Sequence, residues 1–178
     1  GDLIAQVANL SRTDLARAID GAAIAQKKWA ALSAKERSNI LRAWFNLMIE
    51  NQEDLAKILT AEMGKPLAEA MGEVVYGASF VEFFAEEAKR NYGETIPGHQ
   101  VDKRITVIKQ PIGVAASITP WNFPNAMITR KAAPALAAGC AFVARPSQLT
   151  PFSALALGVL AERAGLPPGI LQILPSNN

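Results

Sequence analysis

Apolar residues recur at helical spacing through the first half of the chain, and they predict four amphipathic helices. The first two begin with capping-box patterns, Ser11 with Asp14 and Ser33 with Glu36. Their predicted apolar faces consist of Leu15, Ile19, Ala22 and Trp29 in the first helix, and of Ile40, Trp44, Leu47 and Met48 in the second.

Glycine and proline separate the third predicted helix from the fourth. The third runs from Gln52 to Gly64, and Pro66 suits the first position of the fourth, which is expected to end near Gly93. The fourth helix has a long apolar stripe made of Leu67, Ala70, Met71, Val74, Ala78, Val81 and Ala85. We interpret these faces as core and subunit packing rather than as a ligand site.

The apolar period changes near Ile96, and strand patterns follow. Pro97-Gly98 predicts a turn, and residues 104–109 are rich in β-branched residues that predict a strand. This extended region would cover a sheet edge or join the sheet of a partner.

From Gly113 onward the pattern alternates between strand and helix. The predicted strands are Val114–Ile118, Ala141–Ala144 and Ile170–Leu174. The first intervening helix begins at Pro124 or Asn125, has Met127, Ile128 and Leu136 on its apolar side, and ends at Gly139. The second begins with Thr150 as N-cap and Pro151 as first residue, turns Leu155, Val159 and Leu160 inward, and ends at Gly165. Three apolar strands joined by two helices imply parallel right-handed crossovers, so we predict an α/β fold with the first half of a nucleotide-binding sheet.

Composition excludes several classes of function. The 178 residues suit one domain, and a net charge of +2 without a basic run argues against nucleic acid and anionic membranes. No apolar stretch reaches the ~20 residues of a membrane span. One cysteine and one histidine make a disulfide framework or a zinc site improbable and suit a reducing cytoplasm, so we expect a cytoplasmic protein without a metal. The histidine, His99, lies in a predicted surface turn and is discounted as a catalytic base.

Residues 117–125 contain the strongest candidate chemistry. The stretch reads Ser-Ile-Thr-Pro-Trp-Asn-Phe-Pro-Asn, a rigid loop that presents the amide of Asn122 between two prolines. An amide held in this way can donate a hydrogen bond to developing negative charge. The alternative is a proline-rich turn in which Asn122 bonds its own backbone.

This segment resembles the signature of the aldehyde dehydrogenase superfamily, and further motifs extend the resemblance along the chain. They are Glu62-Met-Gly-Lys-Pro66, Lys109-Gln-Pro-Ile-Gly-Val114, Ala137-Ala-Gly-Cys140 and Thr150-Pro151. The chain has no G-x-G-x-x-G motif, which this superfamily also lacks. Residues 92–99 and 127–131 are most similar to succinate-semialdehyde dehydrogenases.

The resemblance implies a domain organisation. Residues 1–95 would form N-terminal helices of the cofactor-binding domain, 96–112 the β segment of an oligomerisation domain, and 113–178 the first part of a Rossmann-like dinucleotide-binding sheet. Homo-oligomers, dimers or tetramers, are expected. The chain has no initiating Met, and Asn178 follows a strand-like run with nothing to close the fold, so both ends are expected to be cut.

The resemblance also implies a reaction: oxidation of an aldehyde to a carboxylate with NADP or NAD, through a cysteine thiohemiacetal. Succinate semialdehyde is the expected substrate, and glutarate semialdehyde or a broader range of aldehydes would fit almost as well. Asn122 would stabilise the oxyanion, while Phe123 and Arg130 would contact the substrate. The implied cofactor contacts are Thr119, Pro120, Trp121, Asn122, Arg145, Pro146, Ser147 and Gln148. By composition alone, Arg130 and Lys131 would instead be a solvated helix face.

Three positions depart from the family pattern or invite a false assignment. Arg145 stands where relatives usually have a lysine, and neutral Gln148 stands near a glutamate of NAD-selective relatives, so NADP is expected to be accepted. Cys140 begins a predicted buried strand and is rejected as nucleophile. The family's reactive cysteine and general base have no counterpart here, so this chain alone is expected to be inactive. The alternatives are a truncated, non-catalytic nucleotide-binding or assembly module and an unrelated nucleotide-binding α/β protein.

Overall fold

A computed structural model describes residues 3–177. Residues 1, 2 and 178, which end the predicted segments 1–95 and 113–178, lie outside the described residues. Four helices form an N-terminal layer, a hairpin follows, and a parallel sheet with two further helices completes the described chain. The helices are α1 (Arg12–Ala31), α2 (Ala34–Glu50), α3 (Gln52–Met63), α4 (Leu67–Glu87), α5 (Ala126–Ala138) and α6 (Pro151–Arg163). The strands are β1 (Glu94–Pro97), β2 (Arg104–Val107), β3 (Val114–Ile118), β4 (Ala141–Arg145) and β5 (Leu171–Ile173).

The predicted helix signals operate as expected at several ends. Both capping boxes form, with the Ser11 and Ser33 hydroxyls accepting the backbone N–H groups of Asp14 and Glu36. Gly64 and Gly139 end α3 and α5 in the left-handed region, at φ 84° and 95°.

Strands β3, β4 and β5 are parallel and lie in that order, which confirms the predicted α/β sheet. The buried core joins this sheet to the helical layer. Trp29 and Trp44 are almost fully buried, and their indole N–H groups donate to Leu136 O on α5 at 3.0 Å and to Leu157 O on α6 at 3.2 Å. These two bonds cross-link α1 and α2 to the helices that follow β3 and β4.

Several predicted boundaries were wrong. Pro66 precedes α4 as its N-cap residue, and α4 ends at Glu87, followed by a 3-10 turn over Ala88–Arg90. Pro97 belongs to strand β1, which pairs with β2 in an antiparallel hairpin that the sequence indicated only in part. Helix α5 begins at Ala126, one or two residues later than predicted. Strands β2 and β5 are shorter than predicted, and β4 extends to Arg145.

The predicted apolar faces also need correction. Leu15, Ile19, Leu67 and Val159 are 41–48% exposed, whereas the neighbouring residues Ala154, Leu157 and Ala161 form the buried side of α6. Leu15 and Ile19 line an open cleft of about 400 Å³ between α1 and the sheet. No helix among residues 3–177 combines the length and the apolar character needed to cross a membrane.

Candidate active site

The two sequence segments predicted to hold site residues meet at one edge of the sheet. Ile118 and Arg145 are paired at the carboxyl ends of β3 and β4, and Thr119 N–H donates to Arg145 O at 3.1 Å. The strand order runs in one direction from β3, so β3 is the strand where a doubly wound sheet would reverse its order. Ligands in such sheets bind outside the carboxyl ends of the strands at that reversal. The loop that follows β3 therefore lies where a ligand is expected.

Asn122 lies in this loop and is exposed together with Trp121 and Phe123. Within residues 3–177 its carboxamide forms no hydrogen bond, so the side chain does not bond its own backbone. Its backbone is held instead, because the carbonyl of Asn122 accepts a hydrogen bond from Lys65 Nζ at 3.1 Å. The loop thus presents a free amide on an anchored backbone.

A buried ion pair lies beneath the loop. The Lys65 ammonium contacts the Glu73 carboxylate, and their side chains are 9% and 1% exposed. The other Glu73 oxygen accepts the backbone N–H groups of Asn125 at 3.0 Å and of Ala126 at 3.4 Å. Because Asn125 forms no side-chain cap, Glu73 caps α5 from another helix, and a carboxylate suits the positive end of the helix dipole.

Helix α6 is capped in the same way. Thr150, the predicted N-cap, forms no side-chain cap. Instead, the Glu62 carboxylate accepts the N–H groups of Phe152 at 2.7 Å and Ser153 at 2.8 Å. Burial raises the pKa of Glu62 above its ordinary value, while these hydrogen bonds oppose the shift. The sequence identified Glu62 and Lys65 only as part of a family motif, and it gave no signal for Glu73, whose partners are distant in sequence.

The predicted substrate contacts lie on both sides of the start of α5. Phe123 is 40% exposed, and the Lys65 ammonium nitrogen lies 3.9 Å from the centroid of its ring. Arg130 is exposed on α5. Lys131 is not a fully solvated neighbour, since its ammonium donates to Met127 O at 3.0 Å. Burial, and to a smaller extent the charge of Arg130, lowers the pKa of Lys131.

The residues predicted to bind a cofactor occupy the carboxyl ends of β3 and β4. One Arg145 nitrogen donates to Ser176 O at 3.1 Å, and this arginine shares the 400 Å³ cleft with Ile118 and Leu174. Ser147 Oγ accepts from Leu149 N–H at 3.2 Å and shapes the turn that leaves Gln148 exposed. Arg145 is thus a fixed cation, Gln148 an exposed amide, and the cleft beside Arg145 is open. Such groups at strand ends suit the anionic and hydroxyl groups of a dinucleotide. Pro120 is exposed in the first loop, and Pro146 is buried in the second.

The discounted residues are a buried cysteine and a histidine outside the two loops of the site. Cys140 is a buried free thiol, in accord with its rejection as a nucleophile. His99 is exposed in the loop between β1 and β2. In the part of the chain that the structure describes, no group of three His, Cys, Asp or Glu side chains could hold a metal ion.

Comparisons with known proteins identify the family to which the chain belongs. The model of the aldehyde dehydrogenase family matches residues 1–178. The chain is 63% identical over 174 residues to glutarate-semialdehyde dehydrogenase of Pseudomonas aeruginosa, covering 98% of this chain and 36% of the relative. It is 62% identical, with the same coverage, to succinate-semialdehyde dehydrogenase [NADP(+)] of Escherichia coli.

A solved structure shares the fold. The crystal structure of an NADP-dependent enzyme of E. coli is 61% identical, with a TM-score of 0.98 over 99% of this chain and 37% of that chain. The present chain therefore spans about a third of the length of the relatives it matches. With the family model matched along its whole length, the chain belongs to the aldehyde dehydrogenase family.

Proposed function

We propose that this chain is part of a cytoplasmic enzyme that oxidises a semialdehyde with a distal carboxylate, succinate semialdehyde first, using NADP or NAD. The observation that carries the proposal is the loop after β3, which exposes the Asn122 carboxamide at the expected ligand edge of the sheet. The names of two relatives, a succinate- and a glutarate-semialdehyde dehydrogenase, support a substrate of this class.

Asn122 would donate its side-chain N–H to the aldehyde oxygen as that oxygen becomes an oxyanion. A preorganised donor of this kind is worth about 3–4 kcal/mol in the transition state. The cysteine thiolate that attacks the aldehyde and the glutamate that activates water would come from parts of the protein outside these residues. Hydride acceptance is the chemistry that the nicotinamide supplies when bound.

Arg130 would bind the distal carboxylate of the substrate. It is exposed on α5, the helix that starts just beyond Asn122 and Phe123. A guanidinium can form two parallel hydrogen bonds with a carboxylate, which would fix the chain of a semialdehyde with its aldehyde end at the loop. The exposed face of the Phe123 ring would form an apolar wall for the methylene groups between the two ends.

NADP is the proposed cofactor, with NAD as a second. Arg145 ends β4, Ser147 and Gln148 follow it, and none of the three carries a negative charge that would repel a 2′-phosphate. The E. coli relative is named for NADP(+), which agrees with this choice. Thr119, Pro120 and Trp121 would border the nicotinamide half of the same cofactor, with Pro146 shaping the second loop.

We also propose that the hairpin joins subunits of a dimer or tetramer. Ile96, Ile105 and Val107 are 39–46% exposed on the two paired strands, and Ile108 follows at 66%. An exposed two-stranded ribbon with apolar side chains is suited to extending the sheet of another copy.

The specificity of Arg130 can be tested in the full-length protein with Arg130→Ala. We expect kcat/KM for succinate semialdehyde to fall by roughly 10- to 100-fold, because charge-assisted hydrogen bonds are worth about 1.5–3 kcal/mol. Oxidation of a neutral aldehyde of similar length should be unaffected. Arg163→Ala, at the exposed end of α6, is the matched control.

Steady-state kinetics with both aldehydes, and with NADP and NAD in turn, provides the measurement. An equal fall in kcat/KM for both aldehydes in Arg130→Ala would show that this residue does not determine substrate specificity. Much tighter binding of NAD than of NADP by the unmodified protein would contradict the cofactor assignment.

A further inference from the structure

The Lys65–Glu73 pair is the polar connection between the helical layer and the Asn122 loop. Lys65 lies between α3 and α4, and Glu73 lies in the second turn of α4. Both side chains are almost completely buried, so this pair is not an incidental surface contact. A buried charge is stable only when its hydrogen-bonding groups are satisfied, and here each group is directed at the loop or at its paired charge.

The contacts hold the loop at Asn122 and at the start of α5 that follows it. Lys65 binds the Asn122 carbonyl at 3.1 Å and lies 3.9 Å from the Phe123 ring centroid. Glu73 binds the first N–H groups of α5, at Asn125 and Ala126. One ion pair therefore fixes the peptide that carries the amide and the helix start that follows it.

The loop depends on such outside support because its own backbone offers few hydrogen bonds. Pro120 and Pro124 have no N–H to donate. Thr119 N–H binds Arg145 O, and Phe123 O accepts from Met127 N–H, so the ends of the loop are tied to β4 and α5. Between these ties, the peptide of Asn122 is held by the ammonium of Lys65.

We propose that Lys65 and Glu73 are positioning residues that aim the Asn122 carboxamide during aldehyde oxidation. The inference rests on the proposed function, since it assigns Asn122 the oxyanion. Neither residue touches the reacting atoms; they set the orientation of the donor. Small displacements of a catalytic group are costly, and a shift of about 1 Å can lower a rate by roughly 100-fold.

The test uses the full-length protein with Lys65→Met, which keeps the length of the side chain but removes its charge. We expect kcat to fall by roughly 10- to 100-fold. The decisive measurement repeats this substitution in an Asn122→Ala background. When two residues act as a unit, the fold-reductions in kcat of the single variants do not multiply in the double variant. Lys65→Met should then lower kcat by no more than about twofold further.

Further variants guard against a folding defect. Lys65→Met/Glu73→Gln removes both charges, so no unpaired charge remains buried, and it should show the same slow kcat in a folded protein. Lys65→Arg keeps the cation and should recover part of the rate. Lys57→Met is the matched control, because Lys57 pairs with Glu53 on the surface, with side chains 57% and 70% exposed. It should behave as the unmodified protein.

Two results would overturn the inference while leaving the proposed function intact. One is an unchanged kcat in Lys65→Met or in the double variant, measured while Asn122→Ala is slow. The other is a full, multiplied loss when Lys65→Met is added to Asn122→Ala. An Asn122→Ala enzyme as fast as the unmodified protein would instead refute the proposed oxyanion role, and the positioning role with it.

Discussion

At the scale of single residues, the site combines a free side chain with a fixed backbone. The Asn122 amide is unbonded within residues 3–177, whereas its carbonyl is bound by Lys65. A donor that needs no reorganisation at the moment of reaction is what gives oxyanion stabilisation its size. The buried charge of Lys65 carries a desolvation cost that its three contacts offset. Removing one partner of such a pair typically costs about 3–5 kcal/mol, which is why the uncharged double variant matters.

At the same scale, the capping box at the start of α1 makes the stability of the protein depend on pH. Hydrogen bonds from the Ser11 side chain and backbone, and then from Arg17, lower the pKa of Asp14 to about 2. The folded protein therefore binds this proton less tightly than the unfolded chain. The stability contributed by the ionised carboxyl is present above about pH 4 and is lost as the pH falls toward 2.

Asp14→Asn and Ser11→Ala should both remove this part of the pH dependence. Each variant should melt below the unmodified protein at neutral pH, and the difference should shrink as the pH approaches 2. Thermal unfolding of the full-length protein across this range provides the measurement. Melting curves that stay parallel to those of the unmodified protein at all pH values would show that the capping box contributes nothing through Asp14.

At the scale of elements, both helices that follow the site loops begin at carboxylates from the helical layer. Glu73 binds the first N–H groups of α5, and Glu62 binds those of α6. The first N–H groups of a helix have no partner within the helix, and the N-terminus favours negative charge. These two glutamates therefore set the positions of α5 and α6, and with them the ends of the loops after β3 and β4.

The crossing of α4 and α5 gives an element-scale prediction. A Cβ atom at Gly77 would lie 2.2 Å from Asn125 Oδ1 and 3.3 Å from Thr129 Oγ1. Because Asn125 is buried, its side chain has little room to give way, and Gly77→Ala would displace this side chain or the start of α5. We expect a loss of about 1–3 kcal/mol in the free energy of unfolding, as for other overpacked sites.

Gly72→Ala on the same helix is the matched control. A Cβ at Gly72 meets no atom within 4 Å, and the residue is exposed. This substitution should stabilise α4 by about 0.5–1 kcal/mol, since alanine is the better helix former. Denaturant unfolding of both variants distinguishes close packing from helix propensity. Equal effects of the same sign at the two positions would contradict the close approach of α4 to Asn125.

At the scale of the whole molecule, the sequence predicted the features that short local patterns determine, such as helix ends and the order of strands and helices. Ser11 with Asp14 and Ser33 with Glu36 identified two helix starts, and Gly64 and Gly139 identified two helix ends. The parallel order of β3, β4 and β5 followed from the alternation of strands and helices. The proline-flanked Asn122 loop was identified as a site because of its resemblance to a family signature.

Contacts between distant segments could not be predicted in this way. The partners of Glu73 at Asn125 and of Glu62 at Phe152 lie 52 and 90 residues away, and nothing in the spacing of either glutamate indicates a cap. Leu15 and Ile19 have helical spacing but line a cleft, because an apolar periodicity does not say which side of a helix the rest of the fold covers. The side chains that support the loops make contacts of this long-range kind, so the sequence alone does not identify them.

The proposed function depends above all on stabilisation of the oxyanion by the Asn122 carboxamide. It is tested most directly by the kcat of the full-length protein for succinate semialdehyde with Asn122→Ala, beside Asn39→Ala on the exposed face of α2. We expect kcat and kcat/KM both to fall by about 100- to 1000-fold in Asn122→Ala. A kcat in Asn122→Ala equal to that of the Asn39→Ala control would contradict this role of Asn122.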